Sequence, residues 1–209
     1  MLAELTVKEF LDKVASSDPV PGGGSIAALN GAVASALTAM VAGLTVGKKG
    51  YEEHEELMKH ISRLSIGQQE LFVEYIDRDS EAYDRVFGCF KLPKTTDEEK
   101  AARSAAIQEA TRFAALIPMQ VARNACELME IIADVARLGN RNAITDACVA
   151  MMAARSAVLG ALLNVRINLA SLKDTAFVDE LKREACRLEQ LACTREIELL
   201  EVVNQELNQ

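Results

Sequence analysis

The chain has 209 residues, half of them apolar and 26% charged, which fits one large globular domain and not a disordered segment. Its 23 Lys and Arg stand against 31 Asp and Glu, a net charge of −8, so it has no electrostatic footprint for nucleic acid or an anionic membrane surface. Aromatics are only 4% and Trp is absent, so Ala, Leu, Val and Ile must fill the core.

Taken in chain order, the apolar spacing is helical nearly everywhere, and no run alternates with the period of two that a half-buried strand needs. Residues 1–10 have no basic start followed by an apolar run, so no signal peptide is expected there. Thr6 with Glu9 reads as a capping box opening a short helix to about Ala15. The prolines and glycines of 18–24 then break the chain. A long apolar helix is expected from about Ser25 to Val46. The stretch from Pro19 to Gly47 has no formal charge and is long enough to span a bilayer, but Ser25, Asn30, Ser35, Thr38 and Thr45 interrupt it. A buried central helix, and no membrane association, is the expectation.

A third helix runs from about Glu52 to Phe90. Thr96 and Glu99 form a second capping box, opening a helix toward Arg137 with Pro118 as a kink or break. Gly139–Asn142 is a turn, the fifth helix covers about Ala143 to Leu172, and the last ends near Leu207. That last helix carries two apolar stripes, one with Leu181, Ala185, Leu188, Ala192, Leu199 and Val202, the other with Cys186, Cys193, Ile197, Leu200 and Leu207, which predicts burial on two sides. The connections are short and the composition does not shift. The expected architecture is therefore all-α, a single-domain antiparallel bundle of long helices spanning 1–209.

The five cysteines are odd in number and show no C-x-x-C spacing, so reduced, buried thiols in a cytoplasmic protein are expected. His54 and His60 are six apart and miss the spacing of a helical metal pair, so no metal site is expected.

Three features can carry chemistry. Gly22, Gly23, Gly24 and Ser25 stand at the mouth of the long helix, where unshielded N–H groups and the positive end of the helix dipole suit an anion; the structural alternative is a tight loop before a Ser N-cap. Asp79 falls in the middle of an apolar stripe of Phe72, Tyr75, Ile76, Ala82, Tyr83, Val86 and Phe90, while Asp77 and Asp84 fall toward the polar side. A carboxylate on a buried face must find partners or shift its pKa upward, and either outcome can make an acid or base. Asp146, Asn164 and Asn168 interrupt the small-residue face of the fifth helix. Asp146 and Asn164 share a direction but lie about 27 Å apart at 1.5 Å per residue, so they cannot serve one small pocket within one chain. Lys48 is likewise about 33 Å from Gly24 along the long helix and joins the glycines only across a subunit boundary.

At these residues the sequence resembles the cyclodeaminase/cyclohydrolase family. The stretches that carry the resemblance are 19–34 (PVPGGGSIAALNGAVA), 77–83 (DRDSEAY), 92–95 (LPKT), Gly139-Asn140 with Asp146, and 160–169 (GALLNVRINL). In order and spacing they cover almost the whole chain. The resemblance implies a helical homodimer acting on a tetrahydrofolate derivative, polyglutamylated forms among the candidates, with no cofactor beyond that substrate. It implies either cyclodeamination of formimidoyltetrahydrofolate, placed first, or opening of the methenyl bridge by water. It assigns Asp79, Lys48 and Asp146 to catalysis. Gly22, Gly23, Gly24, Ser25, Asn140, Asn142, Asn164 and Asn168 are assigned to substrate binding. Asp77 also matches the family pattern, and only helical phase sets Asp79 ahead of it. The competing reading is a non-catalytic helical scaffold or a folate-binding protein, since each polar residue named here also has a structural use.

Overall fold

The computed structural model describes residues 1–208. Six α-helices form in the order read from the sequence: α1 (Val7–Val14), α2 (Gly23–Gly43), α3 (Glu55–Phe90), α4 (Asp97–Leu138), α5 (Ile144–Leu169) and α6 (Thr175–Leu207), with short 3-10 turns before α1, α3 and α5 and no strand among the described residues. Both capping boxes are present. Thr6 and Thr96 each accept the backbone N–H three residues on, and Glu9 and Glu99 reach back to the cap N–H. Pro118 does not break α4. The helix passes through it, and the proline is buried against the core.

Helices α2 to α5 run alternately up and down and close into a ring, with α2 packed on both α3 and α5, α4 packed on α3 and α5, and α6 laid against α4 and α5. Glycines set how closely they approach. A Cβ at Gly31 would meet the fully buried Phe72 ring of α3 at 2.5 Å, and one at Gly160 would meet Ala27 at 3.3 Å. The same contacts fix direction: the first half of α2 lies beside the second halves of α3 and α5. α2 and the helical stretch Arg141–Leu169 that includes α5 meet the length and hydropathy of a membrane span, yet half of each such window is buried within the structure.

Several expectations are corrected. Helix α2 begins at Gly23 with Gly22 as N-cap, not at Ser25, because the Ser25 hydroxyl is engaged elsewhere. Within the chain the second stripe of α6 is covered only in part, at Leu200 and Cys193, while Ile197, Leu207 and Cys186 are exposed; in the first stripe Val202 is exposed and Val203 is buried in its place. All five cysteines are free, but only Cys126 and Cys148 are buried. Tyr83 and Phe90 are half-exposed, because α3 outruns the part of α2 that could cover them.

Candidate active site

The start of α2 and the middle of α3 meet at Asp79. Its carboxylate lies directly on the first turn of α2: a Cβ added at Gly24 would stand 2.5 Å from the Asp79 Cγ, and closer still to Oδ1. Only a residue without a side chain allows this approach. The carboxylate accepts a hydrogen bond from the Ser25 hydroxyl at 3.1 Å and another from the Ser25 backbone N–H. The Ser25 hydroxyl also lies 3.1 Å from the Ile76 carbonyl and 3.4 Å from the Ser80 hydroxyl. Burial raises the Asp79 pKa above the ordinary 3.8, and the two bonds from Ser25 partly oppose the rise. At the first turn of α2, where the sequence suggested a place for a ligand anion, the protein's own carboxylate is held by Ser25, at the positive end of the helix dipole.

Asp79 is not sealed in. With Gly22, Gly23 and Gly24 it lines a cavity of about 340 Å³, walled by Tyr83 and Val86 of α3 and by Asn164, Ile167 and Asn168 of α5. Asn164 Nδ2 donates to the Gly160 carbonyl, and Asn168 Nδ2 donates to the carbonyls of Ala114 and Asn164. Asn168 thus has its amide oxygen to offer a ligand, and Asn164 its oxygen and one remaining N–H. Apart from Asp79, Tyr83 is the one titratable group in that lining.

The remaining predicted residues gather at the far end of α2. Lys48 Nζ donates to Asn140 Oδ1 at 2.6 Å and lies 5.9 Å from the centre of the Tyr51 ring. Asn140 is buried; its backbone N–H donates to Thr45 Oγ1, its Nδ2 to the Leu44 carbonyl, and its Oδ1 accepts the Asn142 N–H. Asp146 is half-buried on the first turn of α5. The 21 residues of α2 separate this group from Gly24 by about 30 Å. A second cavity, of about 310 Å³, lies between α4, α5 and α6. Its Arg137 and Arg195 are paired with Asp134 and with Glu130 and Glu198.

Among the expected ligand contacts, Ser25 is fully buried beneath Asp79 and does not line the cavity. Asp77, expected on the polar side, is half-buried and accepts the Leu2 N–H at 2.6 Å, so it anchors the N-terminus. Tyr83, expected on the apolar stripe of α3, lines the cavity instead. Among the described residues no group of three His, Cys, Asp or Glu is arranged to hold a metal.

Residues 6–187 match the family model described as formiminotransferase-cyclodeaminase. The methenyltetrahydrofolate cyclohydrolase of Methylorubrum extorquens is 44% identical over 184 residues, 88% of this chain and 88% of that protein. The formimidoyltransferase-cyclodeaminase of Rattus norvegicus is 30% identical over 194 residues, but this chain spans only 36% of its length. The crystal structure of formiminotetrahydrofolate cyclodeaminase from Thermotoga maritima superposes with a TM-score of 0.86 at 30% identity, covering 97% of this chain and 99% of that one.

Proposed function

The chain belongs to the formiminotransferase-cyclodeaminase family, and on that footing we propose that Asp79 is the acid/base of a tetrahydrofolate one-carbon enzyme acting at the carbon between two folate nitrogens. One observation carries the assignment: a half-buried carboxylate, held by Ser25 and engaged in no ion pair among the described residues, opens into a cavity of ligand size. In the hydrolytic direction Asp79 takes a proton as water adds to the methenyl carbon. The resulting tetrahedral carbon releases one nitrogen, which is protonated, and leaves a formyl group on the other. In the deaminating direction a folate nitrogen attacks the formimidoyl carbon, loses its proton, and ammonia departs. Both directions need a group that changes protonation beside that carbon, and desolvation moves the Asp79 pKa toward working pH.

Of the two reactions, the 44% identity to a cyclohydrolase over most of both chains favours hydrolysis of the methenyl bridge. Incubation with methenyltetrahydrofolate is expected to bleach its absorbance much faster than buffer does. Formimidoyltetrahydrofolate is expected to release little ammonia. The reverse pattern reassigns the reaction to deamination, and silence with both substrates defeats the one-carbon reading.

We further propose that the working unit is a two-fold dimer whose sites are shared. Val33 and Met40 of α2, Leu44 at its C-cap, and Val149, Met152, Leu163 and Ile167 of α5 are exposed apolar residues on two helices that pack together. Such a surface calls for a partner. Antiparallel pairing of two copies of α2 would lay the partner's Lys48 and Asn140 end over this chain's Asp79 end. Mixing an Asp79→Asn chain with a Lys48→Ala chain, each inactive alone, is then expected to restore up to about one quarter of wild-type activity, because a mixed dimer has one intact site. Sites contained within one chain would give no recovery.

A further inference from the structure

Four residues of α3 stand at intervals of four: Asp79, Tyr83, Phe87 and Lys91, the last being the helix C-cap in helical conformation. They form one row that starts in the cavity and runs out along the surface. The Tyr83 and Phe87 rings lie parallel, 11° apart in plane and 6.2 Å between centres. Lys91 Nζ folds back over Phe87, 4.6 Å from its centre. The chain has only 6 Phe and 3 Tyr, yet Tyr83 is 40% exposed and Phe87 50%. Helix packing does not require two aromatic planes at this place. Of the other cations on this part of α3, Arg78 lies over the Tyr75 ring, and Arg85 is paired with Glu109 and stacked on Phe113.

Resting on the one-carbon reading of the pocket, we propose that this row holds the aminobenzoyl-glutamate arm of the substrate, its ring against Tyr83 and Phe87 and its carboxylate at Lys91. The dimensions agree. Twelve residues of helix span about 18 Å, and the fold-back of Lys91 brings its charge nearer, above Phe87. In the substrate the ring begins one nitrogen away from the reacting carbon. The carboxylates follow roughly 10–13 Å on, by summed bond lengths. The chemistry agrees as well: a flat ring stacks on parallel aromatic planes, and an ammonium meets a carboxylate in a chain otherwise acidic by eight charges.

The test compares methenyltetrahydrofolate with methenyltetrahydropteroate, which lacks the glutamate, in wild type, Lys91→Glu and Phe87→Ala. Lys91→Glu is expected to raise KM for the glutamate-bearing substrate about tenfold with kcat nearly unchanged, and to leave KM for the pteroate compound as it was. Phe87→Ala is expected to raise KM for both by about fivefold, since both carry the ring. Equilibrium binding of the two compounds, followed by their fluorescence, gives the same comparison without turnover. A wild type that binds both but turns over neither therefore defeats the reaction assignment and still tests the row. Lys91→Glu affecting both compounds equally, or neither, overturns the proposal. So does a change of oligomeric state in Phe87→Ala with KM unmoved, which would assign the row to a subunit contact.

Discussion

Asp79→Asn is expected to lower turnover by about 10²–10⁴-fold, the range a positioned acid or base contributes, while making the protein more stable at neutral pH. The two effects share one cause. Burial raises the Asp79 pKa in the folded chain above its unfolded value, so between those two pKa values the folded chain binds more protons than the unfolded one. Its stability is then fully present below the unfolded pKa and is lost as pH rises through the folded pKa. Replacing the carboxylate with an amide removes that loss and keeps an oxygen for the Ser25 hydroxyl and N–H. Thermal melting of the variant at pH 7 is expected about 2–4 °C above wild type, the shift that about 1 kcal/mol gives in a domain of this size. At pH 3 the difference is expected to vanish. A variant that loses activity and melts lower at pH 7 would mark Asp79 as a structural partner, not a strained functional one.

Gly24→Ala is expected to cost about 10²-fold in kcat, the penalty of moving a reacting group by about 1 Å. Helix propensity alone would predict the opposite sense for stability, because Ala is favoured over Gly by about 1 kcal/mol in a helix. The added methyl has no room: Asp79 must leave the first turn of α2 or α2 must shift. Gly67→Ala, on α3 and outside the cavity, is the control. Its Cβ would meet nothing within 4 Å, and its activity is expected to stay within about threefold of wild type. Circular dichroism of both variants separates lost positioning from lost fold. Equal activity in the two would remove the argument that the cradle positions the acid.

The helices could be read from the sequence because their signals are local. Thr6, Thr96 and Pro19–Gly24 act within one turn of themselves, and the boundaries of α1, α3, α4 and α6 fall close to where caps and breakers placed them. Asp79 was visible because a charge interrupted a stripe of period 3.6. What lay out of reach was pairing across helices. Helical phase alone could not give Asp77 its hydrogen bond with Leu2, seventy-five residues away. Nor could it show that the Ser25 hydroxyl turns under Asp79 and away from the cavity. Tyr83 was misread for a related reason: periodicity shows which face is apolar, not how far along a helix its neighbours continue to cover it. The spacing of Lys48 from Gly24 reads from the sequence as too great for one chain, and the Lys48–Asn140 bond at the opposite end of α2 agrees with that arithmetic.

The measurement that bears most directly on Asp79 is the pH dependence of a single turnover, with the Asp79 carboxyl titrated in parallel by infrared difference between wild type and Asp79→Asn. The rate is expected to fall as pH drops through one midpoint above 3.8, and the carboxyl band is expected to appear at that same midpoint. A rate that stays level through the carboxyl's titration, or one that falls at a different pH, would contradict Asp79 as the group that moves the proton.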